Sequence, residues 1–114
     1  MSNKEFFNKL VRDKIPELIA SKGGKPEYEI MNDENYISKL REKLLEESNE
    51  VVTAKTKDDT TEELADLLEV MQALASFNEI NFADVEKTRK LKKEKRGGFD
   101  LKILLKSTEI VDRI

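Results

Sequence analysis

Apolar residues recur along most of this chain at helical rather than alternating spacing. From about Asp33 to Lys55, the positions Ile37, Leu40, Leu44 and Val51 fall three, four and seven residues apart, the repeat of one helix face. A second helix is predicted from about Thr61 to Phe77, through Leu64, Leu67, Leu68, Met71 and Leu74. Between the two, Lys57-Asp58-Asp59-Thr60 breaks the pattern and offers capping side chains. Asn78 to Asn81 reads as a turn. Phe82 to Lys95 reads as a third long helix, weakly amphipathic, that Gly97-Gly98 stops. Nearer the start, Asp13 is placed to cap a short helix with Pro16 in its first turn and Gly23-Gly24 at its end. Tyr28 to Met31 and the tail Phe99 to Ile114, with Leu101, Ile103, Leu104 and Leu105, are the candidates for extended chain. The pattern predicts an all-α antiparallel helix bundle, one domain over residues 1–114, with a short extended C-terminal tail.

Composition narrows what such a bundle can do. The 114 residues suffice for one modest core. With 21 basic and 24 acidic residues, the net charge of −3 argues against a globally basic nucleic-acid binder. Cysteine and histidine are both absent, which excludes disulfide scaffolds, thiolate sites, imidazole acid–base chemistry and the usual zinc centres. No apolar run approaches membrane-spanning length, and the charged start Met1-Ser-Asn-Lys-Glu-Phe-Phe7 does not read as a signal peptide. A soluble cytosolic domain without a membrane partner is expected.

The informative departure from pattern is acidic. At about 100° per residue, Glu47 falls on the seam of Leu40, Leu44 and Val51, with Glu50 at the seam's edge beside Lys43. On the second helix, Glu63 aligns with Leu67, Val70 and Leu74, and Asp66 with Val70, Ala73 and Phe77. The polar side is marked instead by Glu69, Gln72 and Ser76. Burying ionised carboxylates costs several kcal/mol each, on the order of the penalty for any buried ion. Four of them on facing seams also repel one another, and Lys43 alone does not balance them. A multivalent cation does. Ligands that are all oxygen point to Mg²⁺, with Mn²⁺ as the alternative. Glu63 taken singly also fits a capping box that begins at Thr60.

Two basic clusters accompany the acids. Between Lys87 and Arg96 seven residues are Lys or Arg, and the run ends in Arg96-Gly97-Gly98-Phe99. Such a run fits a solvated helix end. It also fits a phosphate clamp, in which Lys92, Lys95 and Arg96 supply charge and the glycines expose backbone N–H groups. Lys9, Arg12 and Lys14 form the second cluster. Beside a hard-metal site, both suggest a polyphosphate ligand.

Glu47-Ser-Asn-Glu50, twelve residues, then Glu63-Leu-Ala-Asp66 resembles the ExxE…ExxD signature of the MazG-like all-α nucleoside triphosphate pyrophosphohydrolases. That group includes phosphoribosyl-ATP pyrophosphohydrolase and dimeric dUTPase relatives. Asn8-Lys-Leu-Val-Arg-Asp-Lys-Ile-Pro16 and Lys95-Arg-Gly-Gly-Phe99 resemble a small single-domain branch with a house-cleaning role. The resemblance covers roughly residues 8–100. It implies Mg²⁺-dependent cleavage of the α–β phosphoanhydride of a nucleoside triphosphate, with Glu47, Glu50, Glu63 and Asp66 as metal ligands and catalytic groups. It also implies assembly as a homodimer or higher homo-oligomer, while the cationic residues Lys9, Arg12, Lys14, Lys43, Lys92, Lys95 and Arg96 are the expected substrate contacts. Two other readings share these features: a non-catalytic nucleotide- or metal-binding module, and a helical interaction protein that uses its basic helix. Base and sugar preference are not legible in the residues.

Overall fold

A computed structural model describes residues 4–109. Among these residues it contains four helices and no strand: α1 (Ile15–Ser21), α2 (Asp33–Thr53), α3 (Lys57–Phe77) and α4 (Phe82–Arg96). The predicted all-α class holds. No described residue of Tyr28–Met31 or of the tail forms a strand, and residues 110–114 of that tail lie outside the described residues.

Local chemistry explains the helix ends. Asn32 caps α2 by accepting from the Asn35 N–H at 2.8 Å, with Asp33 and Glu34 in the first turn, where the helix dipole favours acids. Thr56 caps α3 by accepting from the Asp59 N–H at 3.0 Å. This moves the start of α3 one turn ahead of the predicted Thr61. Asp58 and Asp59 fill that first turn rather than a loop, and Thr60 turns its hydroxyl back onto the Thr56 carbonyl at 2.7 Å. Glu63 therefore lies beyond the first turn, and the capping-box reading of it falls. α1 is entered through Lys14, without a side-chain cap from Asp13, and carries Pro16 in its first turn as expected. It closes where Gly23 takes φ 88°. A Cβ on Gly24 would come within 2.6 Å of Ile19 Cγ2.

The chain forms two compact units, residues 1–80 and 81–114. In the first unit, α2 and α3 are 21 residues each, about 31 Å of helix apiece. They pack as an antiparallel hairpin across the short link Ala54–Thr56. Tyr36, early in α2, meets Phe77, at the end of α3, with ring centroids 5.7 Å apart, which pins the open end of the hairpin. Leu40 and Val70 form the buried seam, with Ala75 buried higher on α3, and the only buried charged residue among those described is Glu47. α3 carries a second apolar stripe, Leu64, Leu68 and Met71, which is left exposed, as are Leu45 and Val52 on α2. In the second unit, α4 is capped by Asn81, which accepts from the Ala83 N–H at 3.0 Å. It ends at Gly97, whose φ of 82° stops the helix, and none of its residues is buried.

Candidate metal centre

The hairpin brings three of the four predicted acids together. Glu47 from α2 and Glu63 and Asp66 from α3 each place a carboxylate oxygen within 4.8 Å of the others. The reason is geometric. Glu47 follows Leu40 by seven residues on the seam, and Glu63 and Asp66 sit three apart on the α3 face that meets it. Glu47 is 8% exposed, an acid at a core position, while Glu63 and Asp66 are half-buried. Glu50 lies outside this triad. It is exposed and shares with Glu63 a shallow cleft near the α2–α3 link, also lined by Thr53, Ala54, Lys55 and Asp59.

Electrostatics mark the cluster as short of positive charge. The Glu63 carboxyl is raised above its ordinary range, first by desolvation and then by the charges of Glu50, Asp66, Glu47 and Glu62. Two side chains offset the acids. Lys43, one turn before Glu47 on α2, holds Nζ 3.5 Å from Glu47 Oε1 and 3.7 Å from Glu46 Oε1. Arg12, from the segment before α1, donates from Nη2 to Asp66 Oδ1 at 2.7 Å. Arg12 and Lys43, the latter shared with Glu46, face three carboxylates of the triad and leave it net negative, as a cation site requires. A donor set of carboxylate oxygens alone suits a hard ion, so the residues present fit a metal of that kind.

The remaining predicted site residues are spread more widely. Lys9 sits over the Phe7 ring with its ammonium 6.0 Å from the centroid. Lys14 occupies the N-cap position of α1. Lys92, Lys95 and Arg96 lie on the last turns of α4 in the second unit, where Lys95 and Arg96 join Lys93 at the negative end of the helix dipole. Sequence reading missed the pairing of Arg12 with Asp66, which joins residues 54 positions apart. The basic character of Lys9-Leu-Val-Arg-Asp-Lys14 was the only signal of it, and that signal named a phosphate rather than an acid as partner.

An all-α hairpin that gathers three carboxylates is a fold and donor set compatible with a metal centre. The match of residues 7–93 to the model of the phosphoribosyl-ATP pyrophosphohydrolase family covers most of the chain, and the chain belongs to that family. It is accordingly a nucleotide pyrophosphohydrolase, of a metal-dependent kind. No curated protein and no solved structure gives a match. No helix among the described residues is long and apolar enough to cross a membrane.

Proposed function

We propose that this protein is a Mg²⁺-dependent, cytosolic house-cleaning enzyme that hydrolyses the α–β phosphoanhydride of non-canonical nucleoside triphosphates to a monophosphate and pyrophosphate. The observation that carries the reading is the triad Glu47, Glu63 and Asp66 between α2 and α3, within a chain of this family. In this reading Glu47, Glu63 and Asp66 hold the ion, and Glu50 joins them from the cleft side. Mn²⁺ substitutes for Mg²⁺ in such an oxygen site. The ion, when bound, neutralises charge on the phosphates and lowers the barrier to attack by water. The chain's own part is to orient and balance. Lys43 steadies Glu47, and the cleft beside Glu50 and Glu63 offers Thr53 and Lys55 to a ligand that bridges from the ion. Lys9, Arg12 and Lys14 are proposed phosphate contacts, and in the second unit Lys92, Lys95 and Arg96 with the Gly97-Gly98 backbone are separately proposed to suit a phosphate. Their charge suits phosphate, and the guanidinium forks of Arg12 and Arg96 add bidentate geometry.

The family match runs from 7 to 93 and so crosses the boundary between the two units, which supports residues 1–114 working as one functional domain. A homodimer or higher homo-oligomer is part of the same proposal. Leu64, Leu68 and Met71 form a stripe at i, i+4 and i+7 that is exposed in one copy, and covering such side chains is worth about 1.5–3 kcal/mol each when burial is complete. The test of substrate class is a panel of canonical and chemically altered nucleoside triphosphates with Mg²⁺ or Mn²⁺, followed by ³¹P NMR. The expected result is turnover that favours altered bases, and uniform turnover of the canonical four would overturn the house-cleaning assignment.

A further inference from the structure

The ion pair between Arg12 and Asp66 has a consequence beyond charge balance. Arg12 belongs to the segment before α1, and its guanidinium lies 2.7 Å from one oxygen of a carboxylate that also belongs to the triad. The segment has little else to hold it against the hairpin. Among its described residues Leu10 alone is half-buried, and Lys4 pairs with Glu27, which belongs to neither α2 nor α3. Asp66 thus has Arg12 as a side-chain partner and, as a member of the triad, is also a candidate ligand of a divalent ion. A carboxylate beside a fixed guanidinium attracts a metal less strongly than the same carboxylate alone.

The geometry points to Arg12 as a latch: it is the resident counter-ion of Asp66, it competes with the divalent ion for that carboxylate, and metal entry releases it together with residues 9–14. This inference rests on the metal reading of the triad given above. Once released, the guanidinium and its neighbours Lys9 and Lys14 are free to meet an anionic ligand, so the order of events is metal first and phosphate contact second. Both partners are about half exposed, with side-chain exposures of 57% and 43%. The latch is therefore a weak one, of the size of an ordinary surface pair, as a device that must open on each loading requires.

The test pairs two measurements on the full chain with Mg²⁺ and Mn²⁺ alone, without nucleotide. The first is metal affinity by titration calorimetry, for the parent and for Arg12→Gln and Arg12→Lys. The latch predicts that Arg12→Gln binds the ion roughly two- to fivefold more tightly than the parent, with Arg12→Lys between them. The second is the mobility of residues 9–14 by ¹⁵N relaxation NMR with Mg²⁺. The latch predicts greater mobility in the parent on metal addition, and mobility in Arg12→Gln that is already high and unaffected by metal. Equal or weaker metal binding by Arg12→Gln would overturn the latch while leaving the metal centre intact, since Arg12 would then be a positioning group for Asp66. Reduced mobility of residues 9–14 on metal addition would overturn it likewise. If neither parent nor variant binds the ion, the metal reading itself falls and the latch falls with it.

Discussion

Lys43 holds its ammonium 3.5 Å from the buried carboxylate of Glu47, one helical turn away on α2. The pair sits on the seam that Leu40 otherwise makes apolar, so Glu47 has a built-in partner in the absence of any ion. Replacing Lys43 with Met leaves that carboxylate without it. Because the Lys43 side chain keeps 20% of its exposure, the loss is expected to be about 1–2 kcal/mol rather than the larger figure for a fully buried pair. Urea denaturation of the metal-free variant measures it, and added Mg²⁺ is expected to narrow the gap to the parent.

The shift of Glu63 gives a pH prediction with a definite sign. Its carboxyl is raised by desolvation and then by Glu50, Asp66, Glu47 and Glu62, so the folded protein binds this proton more tightly than the unfolded chain does. Ionisation of Glu63 therefore opposes folding. The penalty is absent below the ordinary carboxylate range, grows as pH rises through the raised value, and is complete above it. In chelator-treated protein, Glu63→Gln is expected to melt above the parent at neutral pH, with the difference closing as the solution is acidified. A variant less stable than the parent at neutral pH would show that the carboxylate stabilises the fold, contrary to this account.

Leu40 is the most buried side chain of the hairpin, at 2% exposure. Leu40→Ala should cost about 2–5 kcal/mol, read as a shift in the unfolding midpoint. So few apolar residues are buried between α2 and α3 that the upper part of this range would leave the variant largely unfolded at room temperature.

Much of this arrangement was legible in the sequence. Glu47 broke an apolar seam at helical spacing, and its burial beside Leu40 follows from that spacing. Glu63 and Asp66 were readable as inward-facing for the same reason. The start of α3 was misplaced by a turn because Lys57-Asp58-Asp59 looks like a linker by polarity, whereas acids in a first turn are what a capped helix favours. The separation of Glu50 from the triad was not readable, since projection on one helix gives direction but not reach. The Arg12–Asp66 pair lay further out of sight, because no periodicity links residues on an irregular segment and a helix 54 positions on.

The exposed stripe Leu64, Leu68 and Met71 makes the assembly proposal testable. Leu68→Glu places a charge in the middle of the stripe. Light scattering is expected to report a smaller particle for this variant than for the parent, with helical content kept. A parent already monomeric at micromolar concentration would remove the proposal.

The carboxylates of α2 and α3 are proposed to form a metal-dependent centre that cleaves between the α and β phosphates. The most direct measurement is product analysis after incubation of a nucleoside triphosphate with Mg²⁺, for the parent, Glu47→Gln and Asp66→Asn. The account predicts monophosphate and pyrophosphate in equal amounts from the parent, no turnover after chelation, and at least about a hundredfold loss of rate in each variant, the scale of removing a group that stabilises transition-state charge. Diphosphate and inorganic phosphate as products, or variants as active as the parent, would contradict it.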